Sequence, residues 1–107
     1  MNMKSYVYTY TVDGALWYVG KGTGARMHGH LRRARMLASG RHPHRIRKWQ
    51  VALADALLAG ATVHVAVLCG GLSESAALAA ERVAIATLSP LKNVLPGGEG
   101  GRLKINA

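Results

Sequence analysis

The sequence predicts an α+β domain, a small three-stranded antiparallel sheet flanked by helices in the order β-β-α-α-β-α. Three observations predict it. Tyr6–Thr11 alternates strictly and is rich in β-formers. A hairpin partner follows at once, through Asp13-Gly14. Beyond it, apolar residues recur at helical spacing, interrupted by one β-branched run, Thr62–Cys69.

The hairpin partner is Leu16–Val19, and the loop length decides which tyrosines share a face. A two-residue loop sets Tyr8 opposite Val19. A three-residue loop, Val12-Asp13-Gly14 with Gly14 left-handed, sets Tyr8 opposite Tyr18; Gly14 in third place favours this longer loop. A glycine-rich link, Gly20–Gly24, then leads into a helix over Ala25–Ala38, with Met27, Leu31, Ala34 and Ala38 as its apolar stripe. Arg26, His30 and Arg33 stack beside that stripe at i, i+4 and i+7. Pro43 opens a second helix that runs to Ala59, with Ile46, Trp49, Leu53 and Leu57 inward and Gly60 just past its end. Thr62–Cys69 is apolar and continuous enough for a central strand. Ser73 caps a third helix that stops before Pro90, with Leu78, Ile85 and Leu88 inward. Asn93–Gly101 is loop-like.

Glu81 falls within that inward stripe. A buried, unpaired carboxylate costs several kcal/mol, so an inward Glu has a cation or a task. The blander alternative is an edge residue that snorkels to water or pairs with an arginine, and pattern alone favours it.

The 107 residues make one domain, 1–107, with no room for a second core. Half are apolar and 18% are charged, which excludes a disordered tail. The 14 Lys and Arg stand against 5 Asp and Glu, a net charge of +9 that implies an acidic partner, with nucleic acid foremost. Cys69 is alone, so there is no internal disulfide and no paired-Cys zinc spacing. Met1–Tyr10 does not read as a signal peptide, and no apolar run approaches the roughly 20 residues that span a bilayer. The helices that carry the charge need their apolar stripes for the core, which argues against a membrane-surface protein. An intracellular module is expected.

The charge is blocked rather than dispersed. Between Lys21 and Lys48 lie Arg26, Arg32, Arg33, Arg35, Arg41, Arg45 and Arg47 without one acid, whereas Trp49–Glu81 holds no Lys or Arg. Such a block marks where an anion docks, or else forms a solvated helix face. Lys21, Arg32, Arg33, Arg35, Arg45 and Lys48 are the expected nucleic-acid contacts. His28, His30, His42 and His44 fall in the same stretch, but without cysteines or suitably spaced acids they make a poor zinc set. The four tyrosines all lie near the N-terminus and the chain has no Phe, which points to a need for hydroxyls there, although β-propensity and ordinary cross-strand pairing also favour Tyr. Gly20-Lys21-Gly22-Thr23-Gly24 matches neither a Walker nor a dinucleotide pattern.

The ordered set resembles the GIY-YIG nuclease family. Tyr6-Val7-Tyr8 stands where the family writes GIY, and Tyr18-Val19-Gly20 where it writes YIG; Arg26, His30, Glu81 and Asn93 follow in the family's order. The run YVGKGTGARMHGH with the later GGEGG is similar to a branch with a Gly-Lys-Gly link, which includes homing-type and branched-DNA nucleases. Two departures stand out: Tyr6 replaces the first glycine, and the gap from Tyr18 to Arg26 is short.

The resemblance implies a GIY-YIG-like sandwich that hydrolyses phosphodiester bonds in DNA with one divalent metal, Mg²⁺ or Mn²⁺, held by Glu81. Residue types fit that chemistry. One hard oxygen ligand suits an ion that keeps most of its waters, and the Arg26 fork can clamp a non-bridging oxygen. Tyr8 is then the general base or water-orienting group, Tyr18 a hydrogen-bond partner of the water or phosphate, and His30 the group that orients Tyr8 or relays its proton. Asn93 would position a backbone segment or a phosphate oxygen. A nucleic-acid-binding module of the same fold that does not cut is the alternative. With one active centre, a double-strand break requires a homodimer or two visits, and selectivity requires DNA shape, the basic helices or a targeting partner subunit.

Overall fold

The computed structural model describes residues 4–93. It is α+β, a three-stranded antiparallel sheet with three helices in the order β-β-α-α-β-α. Strands β1 (Ser5–Val12) and β2 (Ala15–Thr23) form the hairpin, followed by a 3₁₀ turn (Arg26–His28), α1 (Gly29–Ala38), α2 (Lys48–Leu58), β3 (Val63–Leu72) and α3 (Glu74–Leu88). The strand order is β2-β1-β3, so β1 is central and β3 is an edge. The expectation of a central strand at Thr62–Cys69 is therefore corrected. Its apolar run is half-exposed instead, with Val67 and Leu68 facing out.

The hairpin loop has two residues, not three: Val12 pairs with Ala15. Asp13 (φ 49°) and Gly14 (φ 83°) are both left-handed, the geometry that lets a two-residue loop follow the twist of its strands. Asp13 tolerates it because its Oδ1 accepts from Thr62 N–H (2.9 Å) and its own N–H donates to Thr62 O (2.8 Å). Such a loop alone would put Tyr8 and Tyr18 on opposite faces. A bulge corrects the parity. Thr11 pairs with Leu16 and Tyr10 with Tyr18, which leaves Trp17 as the extra residue. The face sharing expected from the sequence holds, but Tyr18 lies opposite Tyr10 and Tyr8 lies opposite Gly20.

Other boundaries shift. Most of the glycine-rich link is not a link: residues 20–23 are the second half of β2, paired residue for residue with β1 as far as Ser5–Thr23, and Gly24 follows as a turn. The first helix begins at Gly29 after the 3₁₀ turn rather than at Ala25, and the second begins at Lys48, five residues past Pro43. In α3, Ser73 Oγ caps by accepting from Ala76 N–H at 3.1 Å, as expected, and Ser89 ends the helix left-handed before Pro90. Its inward stripe is Ala77, Glu81, Ala84 and Ile85; Leu78 and Leu88 are exposed, against expectation.

The sheet divides two cores. On one face Tyr8, Tyr10, Val12 and Tyr18 pack against Ala34 of α1 and Trp49, Leu53 and Ala54 of α2. On the other, Val7 and Val19 pack against Ala84 and Ile85 of α3. Strict alternation along β1 produces this division, because successive side chains point to opposite faces. No helix among the described residues is long and apolar enough to cross a membrane.

Candidate active site

Three tyrosines on one face of β1 hold the start of α1 through their hydroxyls. Tyr6 Oη donates to Gly24 O and accepts from Met27 N–H (3.1 Å). Tyr10 Oη donates to Met27 O (2.6 Å) and accepts from Leu31 N–H (3.0 Å). These are the hydroxyls that phenylalanine could not supply. They satisfy N–H groups that a helix start leaves unpaired, and so fix where α1 stands over the sheet.

Between them, Tyr8 is held differently. Its Oη lies 2.9 Å from His30 Nε2, and His30 Nδ1 lies 2.8 Å from Gln50 Nε2 on α2. Gln50 is in turn fixed by Arg47 N–H, which donates to its Oε1 at 3.0 Å. The His30 ring sits among Tyr8, Tyr10, Tyr18 and Trp49, and Trp49 stacks on Tyr18 at 4.4 Å and 15°. One chain of polar contacts thus joins β1, α1 and α2.

This chain forms one wall of a cavity of about 560 Å³. Of the residues singled out from the sequence, Tyr8, Arg26 and His30 line it, and so do Lys21, Arg32, Arg33 and Arg45. Arg26 sits in the 3₁₀ turn rather than on a helix, yet reaches the same cavity as His30. Arg35 and Lys48, both exposed, are not part of its lining. Arg47 and Gln50 line it and were not singled out as site residues. A signal for Gln50 existed: it lies three residues before Leu53 within an inward stripe, the same reasoning that marked Glu81. It is 1% exposed.

Tyr18, Glu81 and Asn93 do not line the cavity. Tyr18 is buried beside it, under His30 and Trp49. Asn93 grips the outer edge of β2: Val19 N–H donates to its Oδ1 (2.7 Å) and its Nδ2 donates to Val19 O (2.9 Å). Both bonds fall on the backbone of the residue between Tyr18 and Gly20. Glu81 is inward, 7% exposed, on the helix that covers the opposite sheet face. Its carboxyl is one of the lesser causes that raise the Tyr8 pKa. Glu99 and the Gly-rich GGEGG segment lie outside the described residues.

The electrostatics are set by burial and by the cations. Burial pushes the Tyr8 pKa well above the usual phenol range, with Tyr18, Tyr10, Glu81 and Tyr6 adding to the rise. Tyr8 is therefore a neutral phenol at pH 7. Burial also lowers the His30 pKa to about 4, helped by the guanidiniums of Arg47, Arg33 and Arg26, so His30 is a neutral imidazole. Among the described residues no group of three or more His, Cys, Asp or Glu could cage a metal ion. A lone carboxylate such as Glu81 fits only a hard ion that keeps most of its water.

Set against known proteins, the chain matches no family model, no curated protein and no solved structure.

Proposed function

We propose that this chain is a metal-dependent endonuclease that hydrolyses phosphodiester bonds in DNA, acting inside the cell. The observation that carries the reading is the hydrogen bond between Tyr8 and His30 in the wall of a cleft ringed by Lys21, Arg26, Arg32, Arg33, Arg45 and Arg47. Polar residues buried to hold one phenol at a cationic cleft are costly for mere anion binding, where exposed charge suffices. The ordered resemblance to GIY-YIG nucleases supports the same conclusion.

In this reading the Arg26 guanidinium holds a non-bridging phosphate oxygen bidentately, and the remaining cations hold flanking phosphates. Tyr8 sits where it can orient the attacking water. As a phenolate, its own proton released to solvent on the cavity side, it would take that water's proton, and its raised pKa means that ionisation needs the extra positive charge present in the loaded site. Glu81 would hold a hydrated Mg²⁺ or Mn²⁺, which supplies charge neutralisation to the phosphoryl group when bound. Tyr18 packs beside Tyr8 and narrows the freedom of its ring. A homodimer or a targeting partner would be needed for a paired cut.

A second reading is a module of this fold that binds nucleic acid without cutting. The absence of Glu81 from the cavity lining favours it. Incubation with supercoiled plasmid and single-stranded DNA, with Mg²⁺, Mn²⁺ or chelator, separates the two. The nuclease reading expects metal-dependent nicking that Tyr8→Phe, Arg26→Ala and Glu81→Ala each strongly reduce while the fold survives. Salt-sensitive binding by pure wild type that never nicks establishes the second reading instead.

A further inference from the structure

We propose that Gln50 is a positioning residue that fixes His30 as its Nε2–H tautomer, so that His30 donates a hydrogen bond to Tyr8 Oη and never receives the Tyr8 proton. The argument starts from a donor of certain identity. Arg47 N–H can only donate, so the Gln50 atom 3.0 Å from it is the carbonyl Oε1. The other end of the same amide, 2.8 Å from His30 Nδ1, is therefore the NH₂ group, which can only donate. His30 Nδ1 must then present a lone pair. A neutral imidazole carries one proton, so it lies on Nε2, which points at Tyr8 Oη 2.9 Å away.

Turning the imidazole over would set ring carbons against both Gln50 and Tyr8, and turning the amide over would oppose two donors at Arg47. Each link admits one arrangement, and three elements, β1, α1 and α2, supply it. Gln50 is 1% exposed, and its two amide atoms are held by Arg47 N–H and His30 Nδ1.

The consequence concerns the phenol. With Nε2–H donating to Oη, the Tyr8 proton cannot point at His30 and is aimed elsewhere, with the cavity as its open side. His30 thus holds the Tyr8 oxygen and stabilises it on ionisation, which rules it out as a proton relay from Tyr8. This last step rests on the nuclease reading above; the tautomer itself does not.

The test reads the ring nitrogens directly. Long-range ¹H–¹⁵N spectra of uniformly labelled protein at pH 7 distinguish protonated from unprotonated imidazole nitrogens, with His30→Asn assigning the signals. Wild type should show Nδ1 unprotonated and Nε2 protonated. In Gln50→Glu the new carboxylate can only accept, so Nδ1 should become protonated. Wild-type protein with Nδ1 protonated overturns the inference, as does a Gln50→Glu spectrum in which Nδ1 stays bare. Gln50→Met, which removes the donor while keeping bulk, should lower the kcat of plasmid nicking at least about tenfold with KM little changed; unchanged kcat refutes the positioning role. Wild type that shows the expected tautomer but nicks no DNA refutes the nuclease reading alone.

Discussion

A Cβ at position 20 would stand 2.6 Å from Tyr8 Oη and 2.7 Å from its Cζ: the phenol of Tyr8 lies directly over Gly20, its register partner. The glycine is required by space, since the phenol occupies the side-chain position. Tyr18 Cε2, at 2.9 Å, closes the same space.

Gly20→Ala should therefore push the Tyr8 hydroxyl off His30. The ring is packed against Tyr6, Tyr10, Tyr18 and His30, so it can yield only toward the cavity and away from His30. We expect a stability loss of about 1–3 kcal/mol and loss of nicking activity. Urea unfolding and a plasmid assay on the same preparation check both; full activity would show that the Tyr8–His30 contact is dispensable.

The tyrosines should separate by role. Tyr10→Phe removes two hydrogen bonds and leaves Met27 O and Leu31 N–H without their partner, at an expected cost of about 1–3 kcal/mol. Tyr8→Phe should cost less stability but lower kcat on the order of 10²–10⁴-fold. Denaturant melts and initial nicking rates for the pair reveal the crossover; parallel losses in both quantities would contradict it.

Stability should fall on mild acidification. The pKa of His30 drops from the ordinary 6.5 to about 4 on folding, so between those values the unfolded chain binds a proton that the native chain refuses. The contribution is whole above pH 6.5 and lost toward pH 4. Tyr10 acts on the alkaline side: burial raises its pKa from 10.0 to about 12, so its contribution is whole below pH 10 and lost as pH rises through 12. Calorimetric melting at pH 7, 5.5 and 4.5 should show a shallower acid slope in His30→Asn than in wild type. Equal slopes would mean that His30 titrates normally.

Asn93→Ala should loosen the outer edge of β2 without reaching the cavity lining. Two hydrogen bonds to the Val19 backbone disappear, and Val19 N–H loses its partner. Faster amide exchange at Val19, with a stability loss of about 1–2 kcal/mol, is the expected result. Unchanged protection at Val19 would show that the amide clasp is unimportant.

Much of this was legible in the chain because it depends on local chemistry. Alternation at Tyr6, Tyr8 and Tyr10 announces a strand with one hydroxyl-bearing face, and Ser73 and Pro90 bracket α3. The loop length is not legible, because Asp13 joins Gly14 in the left-handed region with help from Thr62, 49 residues away. The bulge at Trp17 has no sequence mark. The late start of α1 reflects the tertiary grip of Tyr6 and Tyr10 on Met27 and Leu31, which intrinsic helix preference does not contain. β3 looked central because its residues are apolar; which strand it pairs with is decided by β1, between two partners. Gln50 carries a weaker mark than Glu81, because burying an amide in an apolar stripe costs less than burying a carboxylate.

The most direct test concerns Glu81, the buried acid on the helix that covers the far side of the sheet. Glu81→Gln keeps the shape and removes only the charge, so the conversion of supercoiled plasmid to open circle is measured across a Mg²⁺ and Mn²⁺ titration for both proteins. The account predicts nicking by wild type that a chelator stops, and no nicking by Glu81→Gln at any metal concentration with DNA binding retained. Glu81→Gln that nicks as wild type does would contradict it.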